Sequence, residues 1–349
     1  MLKVLRIDKK LKKLDKPSLL PADTVVINKG DTLILCAGFE DRAIKALDSA
    51  IKSGKIGFSL IIIEYLPEVQ ENKIDEIMKK CKEFGISFNR LLYDRANPSG
   101  VGNKLSSILE PDSGHIFVDI SGMSKLLIVQ ILSTLGKSPF NFSKIFLLYT
   151  IALEYPPNEK EVNNAIEKMK EDSFYSAMFL SSGIFELTVV PELSSVSLEG
   201  QSIRVVAFPS FNPHQLAALR TEVQASFFTL IHGIPSSQEN AWRPQKIMVL
   251  NRTEEIANRE DIEVSTLEYK ETLTALLDIY DKYSVMERII IAPTGSKMQT
   301  VAVGIFKAFM DDIQIVYPTP RLFPKPKEYT KGARQLYLLN LDSFSEIRL

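Results

Sequence analysis

Two seven-residue stretches constrain this chain more than any other feature: Asp119 to Lys125 (DISGMSK) and Ile291 to Lys297 (IAPTGSK), 172 positions apart. Each follows an apolar run and leads directly into an amphipathic segment. A strand, a tight turn of small residues and a helix that opens on Ser-Lys are thus written twice. Such a turn is a recipe for holding phosphate, because backbone N–H groups, a hydroxyl and an ammonium meet at the positive end of a helix dipole.

Other landmarks recur at nearly the same offset, as an internal duplication requires. Thr32 to Ala37, the loop Gly38 to Arg42 and a helical stretch Ala43 to Lys52 are answered by Ile203 to Ala207, Pro209 to Pro213 and a helical stretch His214 to Leu230. The strand Lys144 to Tyr149 is answered by Ile313 to Tyr317, and each half is expected to close with an apolar strand, Ile184 to Val190 and Gln335 to Leu339. Between these lie strand-like runs at Leu60 to Ile63 and Lys246 to Leu250, and helical spacing at Ile74 to Phe84 and Leu273 to Tyr283. Alternation of this kind predicts an α/β fold of two tandem Rossmann-like units with mostly parallel sheets, related by a pseudo-two-fold axis. The expected bounds are 31–192 and 201–349, with a basic N-terminal segment over 1–30 and a polar linker from Pro191 to Gln201. Ligands of such sheets bind at the carboxyl ends of the strands, where both turns and both post-strand loops fall. The stretch Ile231 to Gln245 has no counterpart in the first half and is expected to form a loop over the ligand edge or at an interface.

Composition narrows the chemistry. With 349 residues, 45% of them hydrophobic, the chain can bury two cores, and no long apolar run points to a membrane; a cytoplasmic location is expected. Two cysteines, Cys36 and Cys81, form no disulfide framework, and three histidines, His115, His214 and His232, have no ligand spacing, so no metal and no cofactor is expected. A formal charge of −1 argues against broad nucleic-acid coating, and the lysines of residues 1–30 read as a solvated face or as a nucleic-acid or partner arm. Neither turn is a Walker A loop, since Leu126 and Met298 stand where that loop needs Ser or Thr.

Each candidate side chain has a plain structural role beside its functional one. Ser121, Gly122, Ser124 and Lys125, like Thr294, Gly295, Ser296 and Lys297, could start a helix or hold a phosphate. Asp119 could cap its turn, orient Lys125 or meet a ribose. Gly38, Phe39, Glu40 and Arg42, and their counterparts Ser210, Phe211 and Asn212, sit in the post-strand loops. There Glu40 and Arg42 form either a surface ion pair or a ligand contact, and the two phenylalanines either pack on the core or stack on bases. A basic stretch, Arg321, Lys325, Lys327, Lys331 and Arg334, punctuated by Pro318, Pro320, Pro324 and Pro326, is expected to be a loop beside the ligand edge or at a partner surface.

The turns Ser121-Gly122-Met123-Ser124-Lys125 and Pro293-Thr294-Gly295-Ser296-Lys297 resemble the Thr-Gly-Gly-Thr-Lys-like turn of the CRISPR-associated Rossmann fold (CARF) and SAVED domains. Both keep the hydroxyl-Lys ending, while Met123 and Thr294 each replace a glycine. The resemblance covers about 31 to 342. It implies a sensor of cyclic or linear oligonucleotides, with a pocket between the two CARF-like halves, acting in prokaryotic antiviral defence through a protein effector or self-association. A metal-independent ring nuclease, or another phosphate-ester enzyme on the same scaffold, is the alternative it implies.

Overall fold

The computed structural model describes residues 6–110, 114–172, 175–179, 182–195, 200–322 and 329–347. The chain forms two compact units: a first of Lys9–Tyr155 with Tyr329–Leu349, and a second of Pro156–Glu328 with the residues up to Asp8. Along the first stretch the elements are α1 (Ile7–Lys13), β1 (Leu20–Ala22), β2 (Thr32–Cys36), α2 (Lys45–Lys52), β3 (Ser59–Leu66), α3 (Ile74–Phe84), β4 (Ser87–Asp94), α4 (Val101–Ile108), β5 (Ile116–Asp119), α5 (Lys125–Leu135) and β6 (Ile145–Thr150). Then follow α6 (Glu159–Glu171), β7 (Ser182–Thr188), β8 (Ser202–Ala207), α7 (Pro213–Glu222), β9 (Phe227–Ile234), α8 (Arg243–Leu250), β10 (Arg259–Ser265), α9 (Tyr269–Tyr283) and β11 (Glu287–Ala292). The chain continues through α10 (Lys297–Phe309), β12 (Gln314–Ile315), β13 (Tyr317–Leu322) and β14 (Leu336–Asn340).

In the first unit seven strands lie in the order β1-β14-β6-β5-β2-β3-β4. Strands β4, β3, β2, β5 and β6 run parallel. Every residue of β2 is buried, as expected of a central strand covered by helices on both faces. Its register sets Leu35 beside both Ile62 and Asp119. The second unit repeats the arrangement with five parallel strands, β10-β9-β8-β11-β12. In both sheets the first parallel strand, β2 or β8, is central and the fourth, β5 or β11, enters on the side away from the second, the Rossmann-like order with a switch point between first and fourth parallel strands.

The two sheets share this strand order, but the elements of the second differ from those expected of the sequence. The run Lys246 to Leu250, expected to be a strand, lies in α8, where Pro244 opens the helix. The strand that answers β3 is instead β9, within residues expected to end a helix at Leu230 and to form an inserted loop beyond it. Helix α7 stops at Glu222, and the aromatic and β-branched run FFTLI continues as a fully hydrogen-bonded inner strand.

The domain bounds also differ from expectation. The strand expected to close the second half, β14, pairs antiparallel with β6 of the first sheet, Leu336 opposite Thr150 and Asn340 opposite Phe146. The strand expected to close the first half, β7, pairs antiparallel with β13, Tyr317 opposite Thr188. Each closing strand therefore pairs with a strand of the other half: β14 extends the first sheet, and β7 forms a separate two-stranded sheet with β13. The described part of 1–30 is not a separate segment: β1 edges the first sheet against β14, and Val25 and Ile27 are buried in its core. Nor is Pro191 to Gln201 a loose linker where it is described. Leu193 is fully buried, the buried Lys307 ammonium donates to the Ser194 carbonyl, and Ser195 N–H donates to Gln314.

Candidate functional site

At the carboxyl end of β5, the turn before α5 is held from three directions. Asp119, buried, accepts from the Ser121 N–H at 2.9 Å and from its hydroxyl, and the same hydroxyl accepts from Thr150 N–H at 2.8 Å. Ser121 thus ties the turn to the end of β6. Ser124 caps α5, accepting from Leu127 N–H at 3.4 Å, and its own N–H donates to the Tyr65 hydroxyl. Gly122 is required by close approach: a Cβ there would stand 2.6 Å from the Cys36 carbonyl oxygen and 3.1 Å from the Ala43 methyl. Lys125, half-buried, is the first helical residue, followed by Leu126 at a position where helix geometry provides no acceptor for the N–H.

The second turn is built to the same plan with different atoms. Thr294, buried, donates to the Phe208 carbonyl at 2.8 Å and accepts from Phe208 N–H at 3.3 Å, joining the turn to the end of β8. Ser296 caps α10 in a reciprocal box with Gln299: Gln299 N–H donates to Ser296 Oγ at 3.1 Å, and Ser296 N–H to Gln299 Oε1 at 2.8 Å. The Ser296 hydroxyl donates to the Thr266 carbonyl at 2.6 Å. A Cβ on Gly295 would stand 2.9 Å from Phe208 Cβ and collide with the Gln299 amide oxygen. Lys297, half-buried, opens α10 as Lys125 opens α5.

Each turn therefore lies against the end of its own unit's central strand, at the switch point, and presents a helix N-terminus carrying a lysine. Ser121 and Thr294 do not face outward; their hydroxyls are spent on stitching strands together.

The post-strand loops differ more. Glu40 and Arg42 are not a surface pair: they are 8% and 3% exposed, with Arg42 Nε donating to Glu40 at 2.8 Å. Arg42 also donates to the Thr150 carbonyl at 3.3 Å and to the Tyr149 and Tyr155 hydroxyls at 3.4 Å. Burial disfavours the Arg42 charge, but Glu40 and the two tyrosine oxygens outweigh it, so its pKa lies above the ordinary arginine value. Thr330 donates to Glu40, and Phe39, half-buried, meets the Tyr329 ring edge-on at 5.4 Å. In the second unit Phe211 is not available to stack on a base. It is buried among Phe179, Trp242 and Leu250, with the Arg243 guanidinium 5.2 Å from its ring centre. Asn212 is buried, and Ser210 gives its carbonyl to Asn251 Nδ2 at 2.7 Å. Gly38 packs on Gly122, a Cβ there reaching 3.2 Å from the Gly122 carbonyl oxygen.

Sequence reading missed Tyr65, Arg95 and Gln299. Tyr65 ends β3, and burial raises its hydroxyl well above the usual tyrosine pKa, so it stays a neutral partner for the turn. The Arg95 guanidinium stacks 4.1 Å over its ring, which brings a cation to the same edge of the sheet. Gln299 could have been found, because Ser followed three residues later by Gln is the capping-box signature. Of the basic C-terminal stretch, Lys325 and Lys327, with Pro324 and Pro326, lie outside the described residues. Arg321 is exposed at the end of β13, Lys331 pairs with Glu154 at 3.7 Å, and Arg334 N–H donates to the Ile151 carbonyl.

Among the described residues no group of three or more His, Cys, Asp and Glu side chains could hold a metal ion, and no helix is long and apolar enough to cross a membrane. No family model and no curated protein matches the chain. Among solved structures it is similar to the U34-tRNA thiolase NcsA of Methanococcus maripaludis, with 18% identity over 37% of this chain and 47% of the thiolase, at a TM-score of 0.19. A putative universal stress protein from Pseudomonas aeruginosa UCBPP-PA14 is similar at 8% identity, over 89% of this chain and 95% of that one, with a TM-score of 0.23. A protein of unknown function from Pseudomonas aeruginosa PAO1 is similar at 9% identity, over 83% and 92%, with a TM-score of 0.22.

Proposed function

We propose that this chain is a sensor of a nucleotide second messenger, a cyclic or linear oligonucleotide whose phosphates are held at Ser-Lys turns. The signal then passes to a protein effector or through self-association. One observation carries the reading: in both units the Ser-Lys turn follows the fourth strand, at the switch point, and packs on the end of the central strand. Phosphate fits there because the first turn of a helix has no intrahelical acceptors for its N–H groups, the dipole favours an anion, and a lysine opens each helix. The resemblance of both turns to those of CARF and SAVED domains supports an oligonucleotide over a simple phosphate ester, and it brings the role in antiviral defence.

Calorimetric titration with cyclic and linear oligoadenylates and mixed cyclic di- and trinucleotides tests it. Lys125→Ala and Lys297→Ala should each weaken binding by about ten- to a hundredfold, the loss of one charge-assisted contact, with unchanged melting temperature. Chromatography of the ligand after incubation should return it intact; linear products would assign the chain to the ring nucleases instead. Affinity that neither substitution moves, or loss of folding in both variants, would reduce the lysines to helix-start residues and remove the proposal's support.

A further inference from the structure

The second unit carries a cavity of about 430 Å³ at the carboxyl ends of β9 and β10, roofed by the loop into α8. Its volume is that of a small-molecule site, for which roughly 300–1,000 Å³ is usual. Ile234, Pro235, Pro244 and Met248 supply apolar lining. The roof is fastened in place: Asn240 Nδ2 donates to Ser237 Oγ at 2.7 Å, and Arg243 donates to Asn240 Oδ1 at 2.6 Å and to the Pro157 carbonyl at 3.1 Å.

Five polar side chains also line the cavity: Ser237 accepts from Asn240, while the exposed Ser236, Gln238, Gln245 and Glu263 make no side-chain hydrogen bond or ion pair among the described residues. No lysine, arginine or histidine joins them, so the cavity does not suit a phosphate. It suits a flat, largely apolar group whose edge donates to a carboxylate and exchanges hydrogen bonds with amides. Glu263 accepts only, when ionised, whereas each glutamine both donates and accepts. Guanine meets this pattern best, because its N1–H and exocyclic amino group donate side by side while O6 and N7 accept on the adjoining edge. Adenine offers a single amino donor flanked by acceptors.

The cavity opens on the same sheet edge as the Ser296–Lys297 turn. Ile234 follows Gly233, where a Cβ would stand 2.7 Å from the Thr266 methyl and 3.3 Å from Gln299 Nε2, and Thr266 and Gln299 are the residues bonded to Ser296. Strands β9 and β11 are two places apart, about 10 Å at the usual strand spacing. We infer that this cavity is a nucleobase subsite, selective for guanine, for a nucleotide whose phosphate lies at the Ser296–Lys297 turn. The inference rests on the phosphate reading of that turn for its orientation, but the base subsite is tested without phosphate.

The experiment is a titration of the whole protein with guanosine, adenosine, cytidine and uridine, none of which carries phosphate, read by calorimetry and ligand-observed NMR. Guanosine should bind at least tenfold tighter than the others; Glu263→Gln should abolish that preference, and Ala241→Trp, on the cavity rim, should block binding. Failure of guanosine to bind, or binding that neither substitution changes, overturns the subsite. If oligonucleotides bind in a Lys297-dependent way while both cavity variants leave them unaffected, the subsite falls and the sensor reading stands. If guanosine binds as expected but no oligonucleotide does, the subsite stands and the sensor reading falls.

Discussion

Arg42 donates to Glu40 at 2.8 Å in surroundings that leave neither side chain more than 8% exposed. This pair anchors the loop after the first unit's central strand, since Arg42 reaches the end of β6 and Glu40 receives Thr330. Glu40→Ala should destabilise the first unit by about 3–5 kcal/mol, because it leaves a buried guanidinium without its counter-charge. Replacing both residues, as Glu40→Ala with Arg42→Met, should cost less than the single change. Denaturant unfolding of the four chains gives the coupling directly; additive losses would mean that the two charges do not depend on each other.

The two turn glycines should differ in cost. At Gly122 the obstacle is the Cys36 backbone carbonyl, which cannot move without distorting β2. At Gly295 part of the obstacle is the far end of the Gln299 side chain, which can rotate away. Gly122→Ala should therefore lower stability by about 1–3 kcal/mol, as overpacking does, and Gly295→Ala by less. Equal losses in thermal melts would contradict this account of the turns.

Acid should weaken the second unit through Asp261. Burial pushes its carboxyl up, but hydrogen bonds from His232 at 2.8 Å and Arg259 at 2.8 Å reverse this and hold it below the ordinary aspartate value. A depressed folded pKa contributes stability above the unfolded value, about 3.9, which is lost as pH falls through the folded one. Asp261→Asn should melt earlier at pH 7, and the gap to the parent chain should narrow progressively as pH falls below about 4. A gap that does not narrow with acidification below that pH would show that packing, and not charge, separates the two proteins.

His214, near the start of α7, adds a second pH dependence. Burial lowers its pKa below the usual histidine value, so the unfolded chain takes up its proton first as pH falls. The resulting loss of stability should begin near the unfolded value of about 6.5. His214→Gln should flatten the melting-temperature profile just below that pH, and an unchanged slope would clear His214 of the effect.

Removing β14 should unfold the first unit while sparing the second sheet. Leu336 and Leu339 are buried, β14 is the only partner of β1 among the described residues, and it covers the edge of β6. In a chain ending at Gln335, hydrogen exchange should lose protection across Ile116–Asp119 and Ile145–Thr150 and keep it across Glu287–Ala292. Loss in both sheets would show that the units fold only together.

Parallel strands, helix starts and turns were legible in this chain because their causes are local. Apolar runs such as TLILC and IIIA mark strands buried on both faces, and Ser at the N-cap with Gly before it marks the turns. The repeat of DISGMSK in IAPTGSK located the switch point of both sheets. Local pattern failed where context decides the outcome. Lys246 to Leu250 has the composition of a strand, but Pro244 starts it as a helix, while the true inner strand FFTLI was absorbed into the helix before it.

What the chain's order could not convey is which edge each closing strand would join. An antiparallel edge strand is satisfied by any partner that presents free backbone groups at the right register, and nothing in LYLLN names β6 over β12. Burial likewise separates residues that look alike in sequence: Phe39 stays half-exposed against Tyr329, whereas Phe211 is sealed under Trp242 and Arg243. The sequence by itself determined the two parallel sheets and their Ser-Lys turns, since hydrophobic period and helix capping act over a few residues. Only the tertiary structure decided the exchange of closing strands, the burial of Glu40 with Arg42 and the cavity beside β9, because each depends on segments far apart in the chain meeting in one place.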